Sequence, residues 1–210
     1  MLIQKRYIII WIAALLSFPA GAQVVLGVRA GAGSSALIQK VEGMYKSGAR
    51  FGFSVAGLAE IPLHNKFSLR TELGVVNQGG NFYSDQSLVG MSKYNKCNYY
   101  SIHVPVDAAF SFHISDVIMT VQAGPALDWS LFGKLKTENT DVDLKFGTSE
   151  EKDLKTFDLC ANLGLAVEYN KMFFSIVTDL GTLDRRSTKR SGETSVYQNN
   201  VTFSLGYYFR

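Results

Sequence analysis

Residues 99–132 constrain the chain more than any other stretch. They form two alternating runs, YYSIHVPVDAAFSFH and DVIMTVQAGPALDWSLF, with a two-residue turn predicted at Ile114-Ser115. In the first run Tyr100, Ile102, Val104, Val106, Ala108, Phe110 and Phe112 share one parity. In the second, Val117, Met119, Val121, Ala123, Pro125, Leu127, Trp129 and Leu131 do. His103, Asp107, Ser111, Thr120, Gln122, Asp128 and Ser130 occupy the opposite parity. A period of two puts these sets on opposite faces of a sheet. Whatever the fold, it must meet an apolar surrounding on one side and a polar one on the other.

The pattern recurs at 24–31, 51–63, 67–78, 157–169, 172–180 and 201–209, which makes eight predicted strands. Tight turns are expected at His64-Asn65, Ile114-Ser115 and Asn170-Lys171. Long polar connections are expected at 34–48, 81–96, 133–152 and 183–196. No segment after residue 22 carries a helical period. Alternation of short and long connections is what an up-and-down barrel in an outer membrane requires, with turns in the periplasm and loops outside. The predicted class is all-β, an eight-stranded antiparallel up-and-down transmembrane β-barrel.

A soluble barrel shows the same alternation, so the polar stripe decides between the two. In water it would be rich in Lys, Glu and Thr. Here it is mostly small, with Gly52, Ser54, Ala56, Gly74, Ala109, Gly124, Ala126, Gly164, Ala166, Ser204 and Gly206, and lysine is absent from the middle of every strand. Small residues suit a narrow lumen filled by its own side chains. Aromatics gather toward the ends of the apolar stripe, with Tyr100, Trp129 and Phe157 at one end and Phe67, Phe112, Tyr169 and Phe209 at the other, as in interfacial girdles.

Residues 1–22 read as a secretory signal peptide. Lys5 and Arg6 form the basic region, 8–18 the apolar core and Ala20-Gly21-Ala22 the cleavage site, which leaves 23–210 as one barrel domain. The apolar core is shorter than the about 20 residues of a membrane-crossing helix. Cleavage would remove two of 21 basic residues and none of 18 acidic ones, so 19 − 18 = +1. That near-neutral charge argues against a nucleic-acid partner. Cys97 and Cys160 are too few for a disulfide framework. One bridge between them is conceivable in an oxidising compartment, but their heights along the strands look mismatched.

The runs YYSIHVPVDAAFSF and VQAGPALDWSLFGK, with LGVRAGAGSS and FSLRTELGVVNQGG before them, resemble the PorT-like outer-membrane β-barrel family of Bacteroidetes. The resemblance covers about 24–209. It implies an integral outer-membrane barrel without a known active site, and for some members assistance to a secretion system. Arg210 departs from the terminal aromatic usual for barrel assembly, although Phe203, Leu205, Tyr207 and Phe209 keep the alternating signal.

Several residues carry candidate chemistry. A polar lumen network is expected from Glu60, Arg70, Glu72, His103, Asp107, Gln122, Asp128, Asp158, Asn162 and Glu168, with Arg70 as its hub and acids in excess. A hydrolase triad from His103, Asp107, Asp128 and Ser130 is disfavoured, because residues four apart on a strand stand about 13 Å apart. Arg185, Arg186, Lys189 and Arg190 form a basic loop suited to lipid phosphates, an anionic partner, the acidic stretch 137–152 or plain solvent. GAGSSA at 31–36 fits a dinucleotide fingerprint only formally, since no βαβ unit follows. His64, His103 and His113 lack ligand spacing, and Asn200-Val201-Thr202 is a sequon inside a strand.

No catalytic residue, metal or cofactor is expected. The function expected is a non-enzymatic one in the outer membrane, exercised through the long loops or the periplasmic rim in surface binding or envelope and secretion-system assembly. The partners expected are outer-membrane lipids and envelope proteins, around a monomeric barrel. The alternatives are a lipid-modifying enzyme, a narrow channel or, less favoured, a soluble lipocalin-like binding barrel.

Overall fold

The computed structural model describes residues 24–41, 44–81, 96–136, 141–188 and 195–210. The expected signal peptide, 1–22, lies outside them. In chain order the strands are β1 (Val25–Val41), β2 (Met44–Ser47), β3 (Arg50–His64), β4 (Phe67–Asn81), β5 (Lys96–Ile114), β6 (Val117–Lys136), β7 (Asp141–Asp143), β8 (Phe157–Tyr169), β9 (Met172–Gly181) and β10 (Val196–Tyr208). Eight of them form the wall, each antiparallel to the next, in the order β1, β3, β4, β5, β6, β8, β9, β10. β10 then pairs back onto β1 from Gly27↔Tyr208 to Gln39↔Val196 and closes the cylinder. Closure matters because hydrocarbon offers no partner for an edge strand's N–H and C=O groups. The short β2 and β7 pair only with the upper parts of β1 and β6.

The three tight turns are Asn65-Lys66, Ser115-Asp116 and Asn170-Lys171. Two of them fall one residue later than the alternation suggested, because pairing continues to His64↔Phe67 and Ile114↔Val117. Each turn needs a left-handed residue, supplied by Asn65 (φ 51°), Ser115 (φ 53°) and the consecutive Asn170 (φ 48°) and Lys171 (φ 69°). Asparagine accepts that conformation readily, whereas Ser115 gives no such sign in advance.

The faces are sorted as a lipid-embedded barrel requires. Val55, Leu73, Leu165 and Leu205 are exposed at 57, 67, 57 and 63%, while Ser101, Asp107 and Asp128 are fully enclosed. Aromatic pairs bracket the apolar band: Tyr100–Phe132 and Trp129–Phe157 near the loop end, Phe67–Phe110 and Tyr207–Phe209 near the turns. Tyr100 and Phe110 are 110 − 100 = 10 residues apart on β5. At about 3.3 Å per residue and a tilt of about 40°, that is roughly 25 Å, the height of the apolar band of an outer-membrane barrel.

Two corrections concern length and lumen. β1 runs to Val41 and β10 starts at Val196, so much of the expected loop 34–48, and residues 196–200 before the expected last strand, are wall standing above the aromatic ring. The lumen parity is also less polar than expected near the turns, where Leu58, Phe173 and Tyr208 pack together. Gly206 makes this plug possible, since a Cβ there would collide with the Phe173 ring.

Candidate functional site

The interior and its extracellular closure are where the functional side chains converge. Each polar residue points inward because its strand neighbours face lipid, and burial then forces it to find a partner. Lowest in the barrel, Arg70 donates to Glu60 at 2.8 Å, to the Tyr208 hydroxyl at 2.6 Å and to Gln122 Oε1 at 2.6 Å. Gln122 passes its amide on to Asp107 at 2.8 Å. Arg70 therefore joins four strands, β3, β4, β6 and β10. Above it Arg29, from β1, meets Glu72 at 2.6 Å and Ser204 at 2.9 Å.

His103 stands in the next layer between two carboxylates. Its Nδ1 lies 2.6 Å from Asp128 and its Nε2 3.6 Å from Asp179. Asn162 donates to Asp179 at 2.6 Å, and Gln78 to Asp128 at 3.2 Å. Asp107 belongs to the Arg70 layer and is not hydrogen-bonded to His103. Ser130 accepts from Arg185 at 2.9 Å, and no hydrogen bond links it to His103 among the described residues. This arrangement locks side chains across the cylinder; it does not assemble a nucleophile with a base.

The described part of the basic loop differs most from expectation. Arg185 does not lie in solvent but enters the mouth of the barrel and is fully buried, and Arg186 is 7% exposed. The Arg185 guanidinium sits 5.7 Å from the Tyr99 ring centroid, with its Nε 3.8 Å from Asp158. Lys189 and Arg190 lie outside the described residues. Glu168 is also displaced from the expected network, since it pairs with Arg210 at the periplasmic rim. The remaining expected members, Glu60, Glu72, Asp158 and Asn162, lie where described above.

Above Arg185 the mouth is closed by an apolar cap of Leu37, Cys97, Tyr99, Leu135, Leu144, Leu154 and Val196, with Phe146 against it. Leu144 and Leu154 come from the connection after β7, which folds down over the opening. The Tyr99 hydroxyl donates to Gln198 at 2.8 Å beneath the cap. Cys97 and Cys160 are both free and buried. Burial pushes the Cys97 thiol up to about 12, so it stays protonated and unreactive.

The expected lumen network left out Arg29, Gln78 and Asp179, and also Arg185, which was expected in the basic loop instead. Three of these carried a readable signal, being on the lumen parity of their strands. Arg185 carried none, since a loop residue's destination depends on what lies beneath it. Among the described residues no group of three or more His, Cys, Asp or Glu is placed to hold a metal ion.

The fold is that of solved outer-membrane barrels. Neisserial surface protein A (NspA) matches with TM-score 0.50 at 13% identity, over 87% of this chain and 96% of that one. Ail, the attachment invasion locus protein of Yersinia pestis, matches with TM-score 0.48 at 13% identity, over 89% and 99%. A comparison with curated proteins returned no significant match. The family described as "Outer membrane protein beta-barrel domain" matches residues 17–184. With an apolar outer wall, a polar interior and that match over most of its length, the chain belongs to the outer-membrane protein β-barrel family and resides in the bacterial outer membrane.

Proposed function

We propose that the protein is a closed, non-enzymatic barrel that works through its extracellular crown, binding a partner at the cell surface. One observation carries this reading: the lumen is shut twice, by cross-strand ion pairs in the membrane and by the apolar cap with Arg185 above it. Among the described residues, a barrel sealed in this way leaves its lumen to its own side chains rather than to a solute or substrate. What remains accessible is the part beyond the aromatic ring. There β1–β2 and β6–β7 project as hairpins, while the described residues of the periplasmic side are three two-residue turns and the strand ends at Val25 and Tyr208. The large structured surface is therefore outside, and loops on a rigid scaffold are where binding residues concentrate.

The resemblance to PorT-like barrels favours a second reading, docking to envelope or secretion machinery through the rim. Photo-crosslinkers at Lys145 in the crown and at Lys171 in a periplasmic turn separate the two. Capture of a defined partner at Lys145 alone is expected; capture at Lys171 alone would favour the rim. Planar-bilayer recording of the purified protein should show no steady conductance, and stable open channels would overturn the sealed-barrel reading.

A further inference from the structure

The outer wall changes character where β5 and β6 leave the membrane. Tyr100 pairs with Phe132 but Ser101 with Ser130, so Leu131 is an extra residue forming a bulge. Below the bulge the odd-numbered residues of β6 face lipid; above it the even-numbered ones face out. Leu131 and Phe132 are consequently both exposed, and Lys134 and Lys136 follow on the outer face. Across the pairing, Lys96 stands opposite Lys136 and Asn98 opposite Lys134. Like charges directly opposite on one face of a sheet repel.

A groove of about 460 Å³ opens here, with Tyr100, Leu131 and Phe132 along its base, Lys134 and Lys136 on its rim and Asp143 on the far wall. Lys136 reaches Asp141 at 3.1 Å, yet its side chain remains 44% exposed. Among the described residues no carboxylate lies within ion-pair distance of Lys96 or Lys134. The local balance of Lys96, Lys134 and Lys136 against Asp141 and Asp143 is 3 − 2 = +1. The groove stands immediately above the Trp129–Phe157 and Tyr100–Phe132 pairs, the level of headgroups in the outer leaflet.

We propose that this groove binds a phosphorylated lipid of the outer leaflet. Its phosphate lies between Lys134, Lys136 and Lys96 with Asn98 as an amide donor, and its sugar or acyl portion rests on Phe132 and Leu131. An apolar base directly below cations matches an amphiphile with an anionic head better than a free anion, which has no use for the base. A bound phosphate also relieves the Lys96–Lys136 apposition. The proposal does not rest on the crown's protein partner, although the β6–β7 hairpin serves both and Leu144 of the cap also lines the groove.

The test uses the full mature barrel in detergent, titrated with bis-phosphorylated lipid A and with the same lipid stripped of phosphate, bound copies being counted by native mass spectrometry. Wild type should retain one phosphorylated lipid. Lys134→Gln/Lys136→Gln should bind it roughly thirtyfold more weakly, while Lys66→Gln/Lys171→Gln at the other end should match wild type. Asp143→Asn should bind more tightly. Unchanged heat-dependent gel migration reports that each variant is folded. Equal binding by wild type and the Lys134/Lys136 variant would overturn the proposal, as would equal retention of the stripped lipid. Displacement of the lipid by excess inorganic phosphate would mark a free-anion site and overturn the lipid assignment.

Discussion

The barrel has two halves with opposite chemistry inside one continuous wall. Within the membrane the interior is polar, with Arg29–Glu72, Arg70–Glu60 and His103–Asp128, and the exterior is Val, Leu and Phe. Above the aromatic ring the interior gains an apolar cluster of Leu37, Tyr99, Leu135, Leu154 and Val196 over Arg185 and Gln198, and the exterior carries Lys96, Lys134 and Lys136. β5 crosses the boundary without changing which parity faces in; Asp107 and His103 simply give way to Tyr99 and Cys97. β6 crosses it by inserting Leu131. In hydrocarbon the greasy face must point out and the polar one must satisfy itself internally. In water the ordinary hydrophobic rule returns and apolar area is buried inward.

The largest effect should come from the lower half. Arg29→Met leaves Glu72 buried without its cation and should cost about 3–5 kcal/mol in urea unfolding, with Arg70→Ala in the same range. Arg29→Met/Glu72→Leu should recover most of that loss, because removing both charges removes the desolvation penalty. A double variant as unstable as the single would mean that the pair is not the cause.

The outer face of that half gives the next test. Leu163→Arg, at a position 46% exposed toward lipid, should cost about 2–4 kcal/mol. Asn162→Ala, which removes one donor to Asp179, should cost about 1–3 kcal/mol. A ranking with Asn162 clearly ahead would reverse the inside and outside of β8. In the upper half, Leu154→Ala should cost about 2–4 kcal/mol by cavity formation, and most of it locally. Protease sensitivity of 144–156 and alkylation of Cys97 should rise while the wall's urea midpoint holds, if the halves open separately. A midpoint that falls with it would make them one cooperative unit. Smallest of all, Asp141→Asn breaks an exposed pair with Lys136 and should stay within about 0.2–1 kcal/mol.

Much of the membrane half was legible in the linear chain, because a period of two assigns every residue of a lipid-crossing strand to one of two environments. Val28 and Arg29, or Leu163 and Asn162, reveal their sides by parity alone. The crown was less legible for the same reason. Where water lies outside, Ser34, Ser35, Asn199 and Asn200 form wall without an apolar stripe, so their segments resembled loop although β1 and β10 pair through them. Turn positions slipped by a residue at Ser115 because only the pairing partner, Val117, determines where the strand must stop.

The alternating pattern, together with the small residues of its polar stripe, determined that eight strands form a barrel and which face meets lipid, since hydrocarbon tolerates no unpaired backbone and no exposed charge. The tertiary structure alone decided the seal. Arg185 reaches Ser130 and Asp158, and Leu154 reaches Leu37 and Val196, only after distant strands have been brought round one mouth. Contacts of that kind depend on the closed geometry of the ring, which no local period encodes.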